Sequence, residues 1–252
     1  MELFIIAVLS ILLPCLFLFL FNKHLEKWAQ TMSTELIGVY FNFIGVLFTL
    51  ILAFVVVAAW EDYDNAMHTV ENEAHKLMYI YEDAIELSDE NKKLLQTKVV
   101  DYTQSIVNEE WNNMDNPIVL KNTKKKYHEL MELKRTLTPL NDTDKDVLTS
   151  IDASLDDLKQ LRHDREGFFE SHVPNLLWFV LLGGSAVCFF FSCIISFEKL
   201  HLKMIMSSLI TFSMTIVLYL TYCLSNPYQG TMKVSAEDYE KVLERISTYG
   251  KQ

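Results

Sequence analysis

An uncharged apolar run constrains the fold of this chain more than any other feature. No Asp, Glu, Lys or Arg occurs from Gly38 to Trp60. As an α-helix this run would be about 34 Å long, enough to cross a hydrocarbon core of about 30 Å. The acids Glu61, Asp62 and Asp64 follow without an intervening Pro or Gly. The sequence therefore predicts one helix that crosses a bilayer and continues into water.

One face of that helix combines polar, small apolar and acidic residues. At helical spacing this face collects Asn42, Val46, Thr49, Leu50, Ala53, Val57, Glu61 and Asp64. It is polar at its start, then narrow and apolar, then acidic, as the lining of a water-filled pore would be. A membrane helix whose Asn and Thr side chains bond a neighbouring helix would show the same pattern. Both interpretations stay open on these residues alone.

Three further apolar runs, residues 3–22, 175–197 and 204–224, enclose an acidic block. We interpret the first run as a membrane helix and not a signal peptide, because no basic segment precedes it and no small-residue cleavage site follows. Residues 61–173 hold 25 acidic and 14 basic side chains, and the rest of the chain is balanced. The predicted fold class is all-α: a polytopic membrane protein with four transmembrane helices and a helical soluble block between the second and third.

We divide the chain into four parts by this pattern. They are a first membrane helix pair (1–60), the acidic helical soluble block (61–173), a second membrane helix pair (174–225) and a C-terminal tail with a short helix (226–252). The spacing of apolar residues, together with prolines and capping residues, predicts a polar connection at 23–37 and helices at 61–88, 88–113, 121–137 and 236–248. It also predicts a break at Pro117 and a further helix that starts at Asn141 or Thr143.

Composition argues against several classes of function. The net charge of −11 argues against nucleic acid as a partner. We find no catalytic constellation and no phosphate-binding loop, so we expect neither an enzyme nor a cofactor. Glu71 and His75 share a helix face, but two ligands do not make a metal site. The four cysteines lie in apolar stretches and imply no disulfide framework. The basic run Lys124–Lys126 is typical of a solvated helix face.

Two short segments carry a family resemblance. The segment from Trp60 to Asn65 (WEDYDN) resembles the W-x-x-Y-[DE]-N segment that closes the second membrane helix of bestrophin channels. Asn226-Pro227-Tyr228 is similar to the Asn-Pro-Phe that follows their fourth membrane helix. The whole chain looks like the bacterial bestrophin-like integral membrane family. The residues that carry this wider likeness are Leu52–Ala66, Glu110-Trp111, Pro174 with Trp178, and Pro227 with Gly230.

The resemblance implies a pentamer with five copies of the second helix around a central pore. By position, the apolar neck would lie at Val46 and Leu50, with Asn42 one turn earlier. Bestrophins have larger aromatic and Ile residues at the neck, so a constriction here could be wider. The acids of their calcium clasp are replaced by residues 229–233, and calcium gating is not carried over.

The prediction for function is an oligomeric, pentameric ion channel in the lipid bilayer. Its neck residues are Val46, Leu50 and Val57, its polar pore residues are Asn42 and Thr49, and its acidic mouth is formed by Glu61 and Asp64. Because no Lys or Arg lies between residues 27 and 76, we expect permeant cations to be favoured. Alternatively these acids pair with Arg162 or Arg165, or the protein is a non-conducting scaffold or sensor whose acidic block binds a partner.

The expected location is a bacterial inner membrane. The short connections carry Lys23, Lys27, Lys199 and Lys203, and by the positive-inside rule this places those connections in the cytoplasm. The bestrophin layout instead implies a cytoplasmic soluble block. We favour a cytoplasmic block, although these two signals oppose each other and leave the orientation open.

Overall fold

A computed structural model describes residues 2–29, 33–114, 117–170, 173–195 and 199–249. Every regular element of that part of the chain is helical, which confirms the all-α prediction. The α-helices are α1 (Glu2–Ala29), α2 (Thr34–Asp83), α3 (Asp89–Ser105), α4 (Pro117–Thr136), α5 (Asp142–Glu170), α6 (Asn175–Ile194), α7 (Leu200–Leu224) and α8 (Glu237–Tyr249). A 3₁₀ turn, Ala84–Glu86, follows α2, and a π-helical segment, Ile106–Glu110, continues α3.

Four of these helices, α1, α2, α6 and α7, are long and apolar enough to cross a membrane. Pro14 lies inside α1, which continues past it, as membrane helices tolerate. α2 has 50 residues, about 75 Å of helix, so its apolar half continues into the acidic segment as the sequence predicted. It ends at Asp83, however, and not at residue 88.

Several predicted boundaries were wrong, each for a local reason. The connection at 23–37 is shorter, because α1 extends to Ala29 and α2 begins at Thr34; residues 30–32 lie outside the described residues. Pro117 starts α4 and does not break a helix, since Pro fits a first helical turn, where the missing N–H has no intrahelical partner. The helix predicted to reach residue 113 changes at Ile106 to π-helical bonding, with the Trp111 N–H donating to the Ile106 carbonyl at 2.9 Å.

Hydrogen bonds identify the residues that cap two of the helices. Of the two residues proposed to start the fourth soluble helix, Asn141 is the cap: its Oδ1 accepts a hydrogen bond from the Asp144 N–H at 2.7 Å. In the tail, Ser235 Oγ accepts from the Glu237 N–H at 3.1 Å, at the start of α8. The third apolar run was predicted to reach residue 197, but α6 ends at Ile194; residues 196 and 197 lie outside the described residues.

The chain forms two compact units. The first, here called the membrane unit, consists of Met1–Tyr63 and His172–Asn226. The second, the helical unit, consists of Asp64–Ser171 and Pro227–Gln252, so the C-terminal tail belongs with the acidic block. α2 contributes its first thirty residues to the membrane unit and the rest to the helical unit.

The membrane unit has two apolar clusters. In one, Phe48, Leu52 and Val55 of α2 pack against Leu181 and Cys188 of α6. In the other, α1, the start of α2 and the end of α6 meet through Leu18, Leu25, Ile37, Cys193 and Ile194. These contacts bury one side of the apolar part of α2 within its own protomer.

The helical unit is built on apolar positions that recur every three or four residues along its helices. Fully buried members of this core are Val70, Ala74, Leu77, Leu95, Val99, Leu130, Leu155 and Leu158. The tail is held at Trp111, whose indole Nε1 donates to the Val234 carbonyl at 3.1 Å. The same indole meets the ring of Tyr239 of α8 edge-on, with centroids 5.5 Å apart.

We predict that Gly184→Ala destabilises the membrane unit by about 1–3 kcal/mol, the usual cost of overpacking a filled core. A Cβ at position 184 would overlap the ring of Phe48, whereas one at Gly183 would meet nothing within 4 Å. Gly183→Ala is therefore the matched control and should leave thermal unfolding in detergent unchanged or slightly raised. Equal melting temperatures for the two variants would contradict the prediction. Adding Phe48→Leu to the Gly184→Ala variant should restore part of the lost stability.

Candidate functional site

The candidate pore residues lie on the side of α2 that its own chain leaves open. Val46, Leu50 and Val57 are 61%, 52% and 54% exposed, while Phe48 and Leu52 on other faces are buried. Exposure by itself does not single these residues out, since bulky side chains beside them on α2 are exposed as well. The composition of the open face is what distinguishes it.

Four of the predicted residues line one open groove along α2. They are Asn42, Val46, Thr49 and Leu50, and the other lining residues are Phe41, Gly45 and Ala53. Gly45 and Ala53 are the smallest residues of this lining. Val57, Glu61 and Asp64 are not among the lining residues, so the structure brings together only part of the predicted set.

The polar groups of this groove have no partner in the described part of the protomer. Neither the Asn42 amide nor the Thr49 hydroxyl makes a hydrogen bond there. On α6 and α7, by contrast, the hydroxyls of Ser185, Thr211 and Thr221 each donate to the carbonyl four residues earlier, at 2.8 Å. An unpaired amide facing hydrocarbon is costly, so contact with water or with another chain would stabilise this face of α2.

Beyond Trp60 the acidic residues remain accessible. Glu61 is exposed and Asp64 is partly exposed. Asp64 lies 3.7 Å from His68 Nε2, and Glu71 lies 3.3 Å from His68 Nδ1. Among the described residues, no group of three or more His, Cys, Asp or Glu side chains is placed to hold a metal ion.

The two arginines considered as partners for these acids are buried elsewhere, in a charge cluster within the helical unit. Arg165 donates from Nε to Glu73 Oε2 and from Nη1 to Glu110 Oε1, both at 2.6 Å. Arg162 pairs with Glu166 at 3.0 Å. Of these five residues, all except Glu166 are at most 5% exposed.

Two tyrosine hydroxyls complete this buried charge cluster. Tyr102 donates to Glu73 Oε1 at 2.8 Å and accepts from Arg162 Nη1 at 2.6 Å. Tyr239 of α8 donates to Glu73 Oε2 at 2.9 Å. Glu73 therefore accepts three hydrogen bonds from three different helices, which compensates the loss of water around a buried carboxylate.

The charges of the cluster shift one another's pKa values. Burial raises the pKa of Glu110, but Arg165 and Arg162 together outweigh burial and hold the pKa below its ordinary value. Burial, and then the negative charge of Glu73, raise the pKa of Tyr102 and of Tyr239 well above the usual range. Both phenols therefore stay protonated and remain hydrogen-bond donors to the carboxylate at any physiological pH.

Sequence reasoning did not identify this cluster, although one signal was present. Glu73 falls among the apolar positions Val70, Ala74 and Leu77 of α2, and an acid on a buried helix face requires a partner. Its partner Arg165 is 92 residues away along the chain. The pairing therefore depends on how α5 folds back against α2.

Residues 8–239 match the family model for the Bestrophin-like domain. This chain belongs to the bestrophin-like family. The family assignment confirms the resemblance noted in the sequence. Its four long apolar helices make this bestrophin-like chain a multi-pass membrane protein.

Solved structures of bestrophin homologues share this fold. A bacterial bestrophin homologue from Klebsiella pneumoniae is 13% identical, with 96% of each chain covered and a TM-score of 0.70. A point variant of that protein is 12% identical over the full length of both chains, with a TM-score of 0.74. At this level of identity the likeness concerns the fold. None of the curated proteins compared with this bestrophin-like chain matches it.

We predict that Tyr102→Phe lowers the free energy of unfolding of this bestrophin-like protein by about 1–3 kcal/mol, because it leaves buried charged groups short of a hydrogen bond. Tyr127→Phe is the matched control. The Tyr127 ring lies against the guanidinium of Arg162, which the Tyr102 hydroxyl also contacts, and the ring centroid is 4.8 Å from Arg162 Cζ. The Tyr127 hydroxyl, however, makes no hydrogen bond among the described residues. Thermal unfolding, monitored by circular dichroism, separates the two variants. Equal losses of stability in both would contradict a role for the Tyr102 hydroxyl.

Proposed function

We propose that this bestrophin-like protein is an ion channel whose pore is lined by the open face of α2. The observation that carries the proposal is the pair of unpaired polar side chains, Asn42 and Thr49, in one groove with Val46 and Leu50. Polar groups on a membrane helix that lack a partner in their own chain are accommodated where water is present. The resemblance to bestrophin channels supports the same conclusion.

One α2 helix cannot enclose water, so the proposal requires an assembly. Five copies around one axis, as the bestrophin resemblance implies, would turn each position of the open face into a ring of five side chains. Rings of Val46, Leu50 and Val57 would form a hydrophobic neck, which closes a narrow pore by excluding water. Rings of Asn42 and Thr49 would hydrate the ion beside that neck.

We expect the purified protein in mild detergent to be a pentamer. Native mass spectrometry should give five times the chain mass of 29.3 kDa. A monomer or dimer that persists across several mild detergents and in lipid nanodiscs would contradict the channel proposal, because neither can surround a pore with this helix.

We expect Leu50→Ser to raise ion flux into liposomes, because a hydroxyl at the neck lowers the cost of wetting it. The matched control is Leu47→Ser, the same change on an exposed residue of α2 outside the groove. Flux assays with purified protein should show at least a severalfold rise for Leu50→Ser and wild-type flux for the control. If Leu50→Ser and Val46→Ser both leave the flux unchanged, the pore does not lie on this face. If the wild type and both neck variants conduct nothing, a scaffold or sensor is favoured.

We further propose that the channel favours cations. Glu61 and Asp64 follow the groove on the same helix, and in a pentamer each would form a ring of five carboxylates at the pore mouth. Acidic rings concentrate cations and repel anions. The arginines that could have neutralised them are engaged with Glu73, Glu110 and Glu166.

The reversal potential under a salt gradient tests this selectivity. We expect a cation-selective potential for the wild type and a shift toward zero for the Glu61→Gln, Asp64→Asn double variant. The matched control is Asp62→Asn with Glu86→Gln, which removes the same two kinds of charge at exposed positions away from the open face. A wild type that prefers chloride would refute cation selectivity, and so would equal potentials for the two double variants.

We place the protein in the bacterial inner membrane with its helical unit in the cytoplasm. The bestrophin layout supports this orientation, and the lysines of the short connections oppose it. The proposed orientation also puts the acidic mouth on the cytoplasmic side, where it would collect cations leaving the cell.

A further inference from the structure

A cavity of about 430 Å³ lies in the helical unit. Cavities of this size are typical of small-molecule sites. One part of the wall is apolar and is formed by Met114, Leu120, Phe169 and Tyr228. These residues come from the turn before α4, from α4, from α5 and from the tail, so the cavity exists only once the helical unit has folded.

The other part of the wall is basic, in a chain whose net charge is −11. Lys121, Lys124, Arg162 and Arg165 line it, against Glu110 and Glu166. Because Arg162 and Arg165 are already paired with Glu73, Glu110 and Glu166, the two lysines supply the unpaired positive charge of this wall. An anion is therefore attracted to this part of the wall.

The lysines of this cavity are those of the basic stretch that lack an acidic partner. Lys126 lies 3.2 Å from Glu109, and Lys125 lies 3.9 Å from Glu129. Lys121 and Lys124 have no carboxylate within 4.0 Å among the described residues. In the basic run Lys124–Lys126, for which a solvated face was predicted, Lys125 and Lys126 are thus paired, whereas Lys124 borders the cavity together with Lys121.

A buried hydrogen-bond donor at this cavity is also unused. Arg165 Nε and Nη1 are occupied by Glu73 and Glu110, but Arg165 Nη2 is buried without a partner within the described part of the chain. Buried guanidinium N–H groups are rarely left unpaired, because the lost contact with water is costly. Glu110 Oε2 in the same lining is likewise buried without a hydrogen-bond partner among the described residues, so a donor and an acceptor are both unsatisfied beside this cavity.

We propose that this cavity binds a small organic carboxylate with an apolar body. The carboxylate would interact with the Lys121 and Lys124 ammonium groups and, once the atoms that cover Arg165 Nη2 move aside, accept a hydrogen bond from it. The apolar body would contact Leu120, Phe169 and their neighbours. A charge-assisted contact beside an apolar wall gives both affinity and orientation. The site is independent of ion conduction, so it stands whether or not the channel proposal does.

Isothermal titration calorimetry on the full-length protein in detergent tests this site, with 3-phenylpropionate and hexanoate as probes. We expect saturable binding of at least one probe at one site per chain. 3-Phenylpropanol, which lacks the charge, and acetate, which lacks the body, should each bind at least about tenfold more weakly. Saturable binding of neither probe overturns the proposal, as does equal affinity for 3-phenylpropanol.

A pair of adjacent lysines supplies the matched variants. Lys124→Gln should weaken binding of the probe about three- to tenfold, because it removes a charge from the wall of the cavity. Lys125→Gln removes the same charge one position away, from a side chain outside the lining, and should leave the affinity within about twofold. Equal losses for both variants would reduce the effect to general surface charge and would refute this site.

Discussion

The helical unit depends on the contacts of Arg165. This side chain is 3% exposed and bonds two carboxylates, Glu73 and Glu110, that lie 92 and 55 residues away along the chain. Taking three charges out of water is costly, and the attraction between them offsets that cost only when the geometry is good and the remaining polar atoms are satisfied. The phenols of Tyr102 and Tyr239 supply part of that satisfaction. The cluster thereby joins α2, α3 with its π-helical segment, α5 and α8.

The position of Glu73 also explains which face of α2 remains open in the helical unit. At 100° per residue, Glu73 lies about 180° around the helix from the direction of Asp64. Anchoring Glu73 in the core therefore turns Asp64, His68 and Glu71 toward solvent. One long helix thus carries a buried acid with many partners on one side and accessible acids on the other.

The π-helical segment contributes to the same arrangement. An α-helix that simply continued from Ser105 would rotate Glu110 and Trp111 differently, because a π turn holds more residues than an α turn. With the segment in place, Glu110 reaches Arg165 and the Trp111 indole reaches the tail at Val234. The cluster, the cavity beside it and the docking of α8 are therefore built from the same few residues, so changes at Arg165 or Glu110 affect all three.

The sequence by itself determined the four membrane helices, the extension of α2 into the acidic segment and the open polar face of that helix. These features are local, because they depend on the length of an apolar run and on the 3.6-residue period. The tertiary structure decided which neighbours a residue meets. Gly184 lies against Phe48 while Gly183 is free, and Arg165 pairs with Glu73 and not with the acids near Trp60. Such pairings join residues far apart in the chain, and no local pattern specifies them because they depend on how separate helices pack.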